Sequence, residues 1–216
     1  MSLEKLPLRT REVVLDHWNQ HHRWAPESLK IRNKAGLVVP LHLTPVQSKV
    51  AAAVERQKTQ GRPVRVIVLK YRQGHCSAGV ASMCFKDTAF VSGRIGAVYA
   101  HNEDATNSIR GYYEQYIESY EPFRGHIPAP SVLKKNESEI RWANESQMLF
   151  FTAGSKQSGR SFRSNWLHLS EFAFYSDAGT LMTGLMQTMP YMPGTCAVIE
   201  STANGRGGMF YEMWQA

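Results

Sequence analysis

The stretch VRVIVLKYRQGHCS, residues 64–77, decides the fold class of this chain. Its first six residues form a nearly continuous run of β-branched and apolar side chains, which is typical of a short strand buried on both faces. A polar loop follows, and from about Ser77 to Phe90 the sequence favours a helix. Strands of this kind occur in parallel sheets that are covered by helices, so the stretch predicts an α/β fold.

The loop between this strand and this helix has the residue types of a phosphate-binding loop in an unusual order. Such a loop needs inward-facing backbone N–H groups, a cation for the phosphates, and a hydroxyl for Mg²⁺ at the start of the helix. If Ser77 supplies the hydroxyl, Cys76 stands where the common pattern has lysine, and His75 stands at its second glycine. Lys70 and Arg72 supply cations from the front of the loop instead. An ordinary polar turn is the alternative interpretation.

Strands and helices alternate on both sides of this stretch. Thr44 is a plausible N-cap, and Pro45 suits the first position of a helix that Gly61 and Pro63 end. Residues 121–146 contain proline and many polar residues, and we expect an excursion on one side of the sheet there. The other segments predict strands at 95–100, 147–154, 166–169 and 196–200, and helices at 103–120 and 177–189. This alternation indicates a mostly parallel central sheet flanked by helices.

Two further predicted strands end in polar clusters, and ligands of such sheets bind at the carboxyl ends of the strands. Residues 166–169 are followed by Ser170 and Glu171, where nucleotide hydrolases place acids that hold Mg²⁺ and orient the attacking water. Ser170 would be a neutral oxygen ligand, and Glu171 would be the carboxylate. The strand at 196–200 ends in hydroxyls and an amide that could sense a γ-phosphate: Ser201, Thr202 and Asn204. Taken singly, Glu171 is also compatible with an ordinary surface carboxylate, and the segment after residue 200 is also compatible with a glycine-rich turn.

Composition and charge exclude several classes of protein. The chain has 216 residues, 43% hydrophobic and 20% charged, so it can bury a core and is neither disordered nor fibrous. No apolar run approaches the ~20 residues of a membrane helix. Three cysteines without a CxxC pair fit a reducing cytoplasm. The net charge of +7 is uneven, because residues 1–72 hold 14 Lys and Arg against 5 Asp and Glu. This basic front segment is compatible with nucleic-acid contact or with a solvated surface.

The three strand ends together resemble the ATPase domain of the large terminase subunit of tailed bacteriophages, over roughly residues 40–216. Many members have a phosphate loop similar to K-x-R-Q-x-G-x-S-T, which Lys70–Ala78 follows closely. The segment His168–Phe174 is similar to the family's H-L-S-E-x-A-F. Ser201–Gly205 looks like the coupling motif of the family.

This resemblance implies a P-loop NTPase of the ASCE type at residues 41–216, preceded by an N-terminal helical arm at residues 1–40. It also implies ATP and Mg²⁺ as cofactors. Gln47 is expected to recognise adenine, because an amide offers a donor and an acceptor. Arg160 looks like the arginine that reaches the ATP of a neighbouring subunit, where a guanidinium suits the transition state; Arg163 is the less favoured choice.

The same resemblance assigns roles at the three strand ends. Glu171 and Arg72 are expected to act in catalysis, together with the arginine from the neighbour. Mg²⁺ would be held by Ser77, by Ser170 through a water, and by Glu171. The residues expected to bind the nucleotide are Gln47, Lys70, Arg72, Gln73, Gly74, His75, Cys76, Ser77, Ser201, Thr202 and Asn204.

Two residues of the loop depart from the family pattern. His75 replaces a glycine, and Ala78 replaces the terminal threonine. A glycine lets the backbone approach phosphate, whereas a histidine adds bulk and restricts φ. We expect Gly74 to relieve this by shifting the bend one residue, and we expect nucleotide affinity to be weakened.

The function implied is ATP hydrolysis that drives double-stranded DNA into a procapsid. After Glu171 the carboxylates are Asp177, Glu200 and Glu212, which do not form the cluster of a two-metal nuclease, so no nuclease activity is expected. Expected partners are duplex DNA, the portal protein, the small terminase subunit and further copies in a ring, with no membrane; the isolated domain could be a monomer. The implied setting is the cytoplasm of a bacterial host, with a phage or prophage gene.

Two other functions stay open. A nucleic-acid-binding or assembly module with a degenerate ATP site is favoured by His75 and by the lack of Asp at position 170. The third candidate is another ATPase of the helicase type.

Overall fold

The computed structural model describes residues 3–72, 74–155 and 162–216. The helices are α1 (Leu8–Asn19), α2 (His21–Ser28), α3 (Pro45–Thr59), α4 (Cys76–Ala89), α5 (Glu103–Ser119), α6 (Ala178–Thr188) and α7 (Met209–Gln215). The strands are β1 (Lys30–Arg32), β2 (Val38–Pro40), β3 (Val64–Leu69), β4 (Ile95–Ala100), β5 (Val132–Lys135), β6 (Glu139–Trp142), β7 (Gln147–Thr152), β8 (Trp166–Ser170) and β9 (Cys196–Ser201). Short 3-10 turns lie at Leu3–Lys5 and Phe172–Phe174.

Seven of these strands form the central sheet, in the order β3-β9-β8-β4-β7-β6-β5. The first five in that order are parallel, and β6 and β5 run antiparallel at one edge. The predicted α/β fold with a mostly parallel sheet is therefore confirmed. The segment 121–146 is more than an excursion, because its hairpin of β5 and β6 pairs with β7 and extends the sheet. The short strands β1 and β2 form a separate antiparallel pair.

Helices cover both faces of the sheet, because successive strand residues point to opposite faces. In β9, Cys196 and Val198 join the core beneath α3, α4 and α5, whereas Ala197 and Ile199 join the core beneath α6 and α7. Helices α1 and α2 contribute to the first of these cores. The N-terminal segment thus packs on the same core as the sheet, and the domain boundary at residue 40 stays a prediction. Within the described ranges, no helix combines the length and apolarity that a membrane span requires.

The strand order places the three polar strand ends side by side. Strand β9 lies between β3 and β8, although it comes last along the chain. In this register Leu69 is opposite Ser201, and Glu200 is opposite both Val68 and Ser170. The carboxyl ends of these parallel strands therefore meet at one edge of the sheet, next to the start of α4.

Candidate nucleotide site

A cavity of about 350 Å³ opens where the carboxyl ends of β3 and β8 meet the start of α4. Eight of the residues predicted from the sequence line it: Lys70, Arg72, Gly74, His75, Cys76, Ser77, Glu171 and Thr202. Three more lining residues, His101, Tyr112 and Phe174, were not predicted. They come from the residue after β4, from α5 and from the turn after β8. Phe174 ends the His168–Phe174 motif but was given no role, and no motif marks the other two.

Lys70 joins the phosphate loop to the acids. Its side chain is only 8% exposed, and its ammonium forms ion pairs with Glu171 Oε1 at 2.8 Å and with Glu200. The same ammonium donates a hydrogen bond to Ser77 Oγ at 3.2 Å. Burial would lower the pKa of Lys70, but the two carboxylates raise it above its usual range. Lys70 is therefore a positively charged side chain that lines the cavity.

Glu200 is a residue of this site that the sequence interpretation did not assign. Its carboxylate is fully buried, and its Oε1 accepts hydrogen bonds from Ser77 Oγ at 2.6 Å and from Ser170 Oγ at 2.7 Å. The ring of His168 lies 3.3 Å from the same oxygen through Nε2. Burial would raise the pKa of Glu200, but the hydrogen bond from His168 and the charge of Lys70 outweigh burial and lower the pKa to about 2.

The carboxylate of Glu171 is held by the third strand end. Its Oε2 accepts hydrogen bonds from the backbone N–H of Thr202 and from Thr202 Oγ1, both at 3.1 Å, and from Ser201 Oγ at 3.4 Å. Glu171 itself has a left-handed backbone, with φ of 54°. The structure thus brings together the acid and two of the three predicted sensor residues. Asn204 points elsewhere, because its Nδ2 donates to the Ala173 carbonyl at 2.9 Å.

The bend of the phosphate loop falls on His75 and not on Gly74. His75 is the residue before α4 and has φ of 50° and ψ of 23°, in the left-handed region that favours glycine. The expected relief was a bend at Gly74, whereas the left-handed residue that leads into α4 is His75 itself. The reason lies in the register of the helix: α4 starts at Cys76, so the residue that turns the chain into the helix is His75.

Solved structures share this architecture, whereas no protein-family model and no curated protein matches the sequence. The crystal structure of the HK97 bacteriophage large terminase aligns over 91% of this chain, with a TM-score of 0.70 and 10% identity. The large terminase ATPase domain of Thermus phage P74-26 aligns over 78% of this chain, with a TM-score of 0.55 and 19% identity. An arginine-to-alanine mutant of that domain aligns over 78% of this chain, with a TM-score of 0.57 and 17% identity.

The chain has the fold of a phage large terminase ATPase domain. It spans 40% of the HK97 terminase chain and 68% of the P74-26 domain chain. At these identities the likeness establishes the terminase fold, and the roles of individual side chains rest on the geometry of this chain.

Gln47 lies beside the loop that leads into α4, but it is not exposed. Its Oε1 accepts from the Thr44 N–H at 2.8 Å and completes the cap of α3, and its Nε2 donates to the His75 carbonyl at 2.7 Å. The side chain is 2% exposed and fits against Gly79 of α4, where a Cβ would lie 2.6 Å from Gln47 Cγ. Gln47 therefore fixes the loop, and its contact with adenine stays a prediction.

The remaining predicted residues have simpler positions. Cys76 is buried, and burial, followed by the charge of Glu200, raises the pKa of its thiol to about 12, so the thiol is neutral. Arg72 is exposed at the rim of the cavity. Arg163 is also exposed. Gln73 and Arg160 lie outside the described residues, and their roles stay predictions.

Proposed function

We propose that this chain is the ATPase of a viral DNA-packaging motor, which hydrolyses ATP to move double-stranded DNA into a procapsid. The observation that carries the proposal is the meeting of Lys70, Ser77, Glu171 and Thr202 at one cavity on the carboxyl edge of a terminase-like sheet. A cation, a helix-start hydroxyl, an acid and a sensor hydroxyl are the groups that phosphoryl transfer requires.

The phosphates would bind against the start of α4. The first backbone N–H groups of a helix have no partner within the helix and carry a partial positive charge, which favours anions. Lys70 lies behind this position and Arg72 lies at its rim, so cations face the phosphates from two sides. Mg²⁺, when bound with the nucleotide, would neutralise charge that develops on the phosphates. The hydroxyls of Ser77 and Ser170, whose oxygens lie 3.5 Å apart, are the candidate ligands for Mg²⁺.

Glu171 would orient the attacking water. Its Oε2 is occupied by donors from Ser201 and Thr202, which leaves Oε1 directed to Lys70. When Lys70 turns to the phosphates, Oε1 becomes available to accept a hydrogen bond from water. Because Thr202 holds Oε2 of Glu171, a movement of Glu171 would also move the segment after β9. That contact would couple the nucleotide site to the regions that bind DNA.

The partners in this proposal are duplex DNA, the portal of the procapsid, the small terminase subunit and further copies of the chain in a ring, within a bacterial host. DNA contact would be insensitive to sequence and sensitive to salt, since a motor must grip phosphates. The basic segment 1–72 is the favoured place for that contact, and Arg160 is the favoured arginine for the neighbouring ATP site.

The test compares ATP turnover, with and without duplex DNA, in the wild type and in Glu171→Gln. Glu137 lies in the turn between β5 and β6, at the opposite edge of the sheet, so Glu137→Gln is the matched control. We expect Glu171→Gln to retain nucleotide binding and to lose turnover by about 10²- to 10⁴-fold, as expected for loss of a positioned base. The control should match the wild type. Turnover is measured over a range of protein concentrations, because an arginine from a neighbouring copy is expected to take part.

Equal rates in the wild type and Glu171→Gln would overturn the enzyme proposal. The second candidate, a DNA-binding or assembly module with a degenerate ATP site, is favoured by the left-handed backbone of His75 and by the engagement of Lys70 with two carboxylates. Its distinguishing result is salt-sensitive DNA binding without measurable nucleotide binding.

A further inference from the structure

The metal side of this site lacks the acid that P-loop ATPases place at the end of the strand before the catalytic glutamate. In those enzymes an aspartate there holds Mg²⁺ together with the hydroxyl of the phosphate loop. Here that position is Ser170, a neutral group, directly before Glu171. A site with Ser77 and Ser170 alone would present no negative charge to the metal.

A carboxylate reaches the same point from the neighbouring strand. Glu200 lies opposite Ser170 in the parallel pair of β8 and β9. Its Oε1 accepts from both hydroxyls of the metal side, from Ser77 Oγ at 2.6 Å and from Ser170 Oγ at 2.7 Å. One carboxylate oxygen therefore joins the phosphate-loop hydroxyl to the hydroxyl at the acid position. An oxygen-donor set of this kind suits Mg²⁺.

The charge of Glu200 must be balanced in every state of the site. A fully buried carboxylate is costly unless a cation pairs with it. Among the residues that the structure describes, the polar partner of Glu200 Oε2 is the ammonium of Lys70. If Lys70 turns to the phosphates of a nucleotide, Glu200 loses that cation and needs another. A divalent metal beside Ser77 would supply the charge at that moment.

We propose that Glu200 is the positioning carboxylate of the Mg²⁺ site, replacing an acid at position 170 and acting through the hydroxyls of Ser77 and Ser170. This inference rests on the proposed nucleotide function. It explains how a chain with serine at position 170 retains a charged metal side. It also assigns a role to the glutamate that precedes the Ser201–Gly205 segment.

The test measures how strongly metal affects nucleotide binding, without relying on turnover. ADP affinity is measured by calorimetry in Mg²⁺ and in EDTA for the wild type, Glu200→Gln and the control Glu137→Gln. The wild type and the control should bind ADP more tightly in Mg²⁺. In Glu200→Gln that gain should fall by about tenfold or more, as is typical when a residue that orients metal ligands is removed. Electron paramagnetic resonance of Mn²⁺ with ADP should show the same loss of bound metal.

A second variant separates a metal role from a structural one. Glu200→Gln/Ser170→Asp returns a carboxylate to the cluster from the neighbouring strand, and it should recover the Mg²⁺ dependence and the bound Mn²⁺. A folded double variant without metal dependence would overturn the role of Glu200.

The remaining outcomes distinguish the two proposals. ADP binding with the same Mg²⁺ dependence in the wild type and Glu200→Gln would overturn the role of Glu200 and leave the nucleotide function standing. Absence of ADP and ATP binding by the folded wild type would overturn the nucleotide function, and this inference with it.

Discussion

His75→Gly should stabilise the protein and strengthen nucleotide binding. The backbone of His75 is left-handed, with φ of 50°, and its side chain is exposed and makes no capping hydrogen bond. This conformation costs a non-glycine residue roughly 1–2 kcal/mol, whereas a glycine lowers stability by about 0.4–1 kcal/mol because it gives the unfolded chain extra freedom. The expected net gain in the free energy of unfolding is about 0.5–1 kcal/mol. The carbonyl that Gln47 holds is kept in the variant.

The assay pairs this variant with His75→Ala. Alanine removes the imidazole but keeps the Cβ, so the difference between the two variants isolates the backbone. Urea denaturation should place His75→Gly about 0.5–1 kcal/mol above His75→Ala, and in a chain of this size that corresponds to a Tm about 1–4 °C higher. Nucleotide titration should show tighter binding by His75→Gly, because no Cβ stands between the loop and the phosphates. Equal stability and equal affinity of the two variants would refute the reasoning.

Three further substitutions test other contacts of the fold. Burial lowers the pKa of Lys86 to about 7, below its value in the unfolded chain, so the unfolded state binds more protons above pH 7. The free energy of unfolding should therefore rise with pH from about 7 to 10, by up to about 1.4 kcal/mol per pH unit. Lys86→Met should flatten that rise in urea titrations at several pH values. Gly79→Ala would drive a Cβ into Gln47, 2.6 Å from its Cγ, and should cost about 1–3 kcal/mol and weaken nucleotide binding. Asn102→Ala removes the side-chain cap on the N–H of Ala105 and should lower the free energy of unfolding by about 1 kcal/mol with unchanged nucleotide affinity. A loss of affinity in that last variant would show that the start of α5 is coupled to the site.

Local sequence patterns predicted most of the fold correctly. The β-branched run at Val64–Leu69 forms β3, but β3 is an edge strand in which Val64 and Val68 are buried and Leu69 is exposed, so the predicted burial on both faces is met only in part. The Thr44–Gln47 segment forms the capping box at the start of α3. The hairpin of β5 and β6 was not predicted, because Val132–Lys135 is exposed along its whole length and shows no apolar alternation. Its pairing with the sheet is decided by β6, in which Ile140 and Trp142 are buried.

The sequence predicted part of the site, and there is a physical reason why it did not predict Glu200. The motifs located Lys70 and Glu171, because each follows directly from a recognisable strand. Glu200 ends the alternation of Cys196 and Val198 on the α4 face of β9, and that alternation is visible in the sequence. Its significance depends on the position of β9 between β3 and β8, which is a long-range pairing that the order of elements along the chain does not give.

In the proposed function, the contacts of Lys70 would link nucleotide binding to the acids. An ammonium group has three hydrogens to donate, and Lys70 directs its ammonium to three partners: Glu171, Glu200 and Ser77. Phosphates cannot gain this cation unless at least one of those contacts is given up. If Lys70 leaves Glu171, the carboxylate oxygen that would accept a hydrogen bond from water becomes available. If Lys70 leaves Glu200, the buried carboxylate needs another cation, which a metal beside Ser77 would supply. In the proposed function both consequences would be steps toward hydrolysis, so the ion pairs of Lys70 would couple nucleotide binding to the preparation of the two acids.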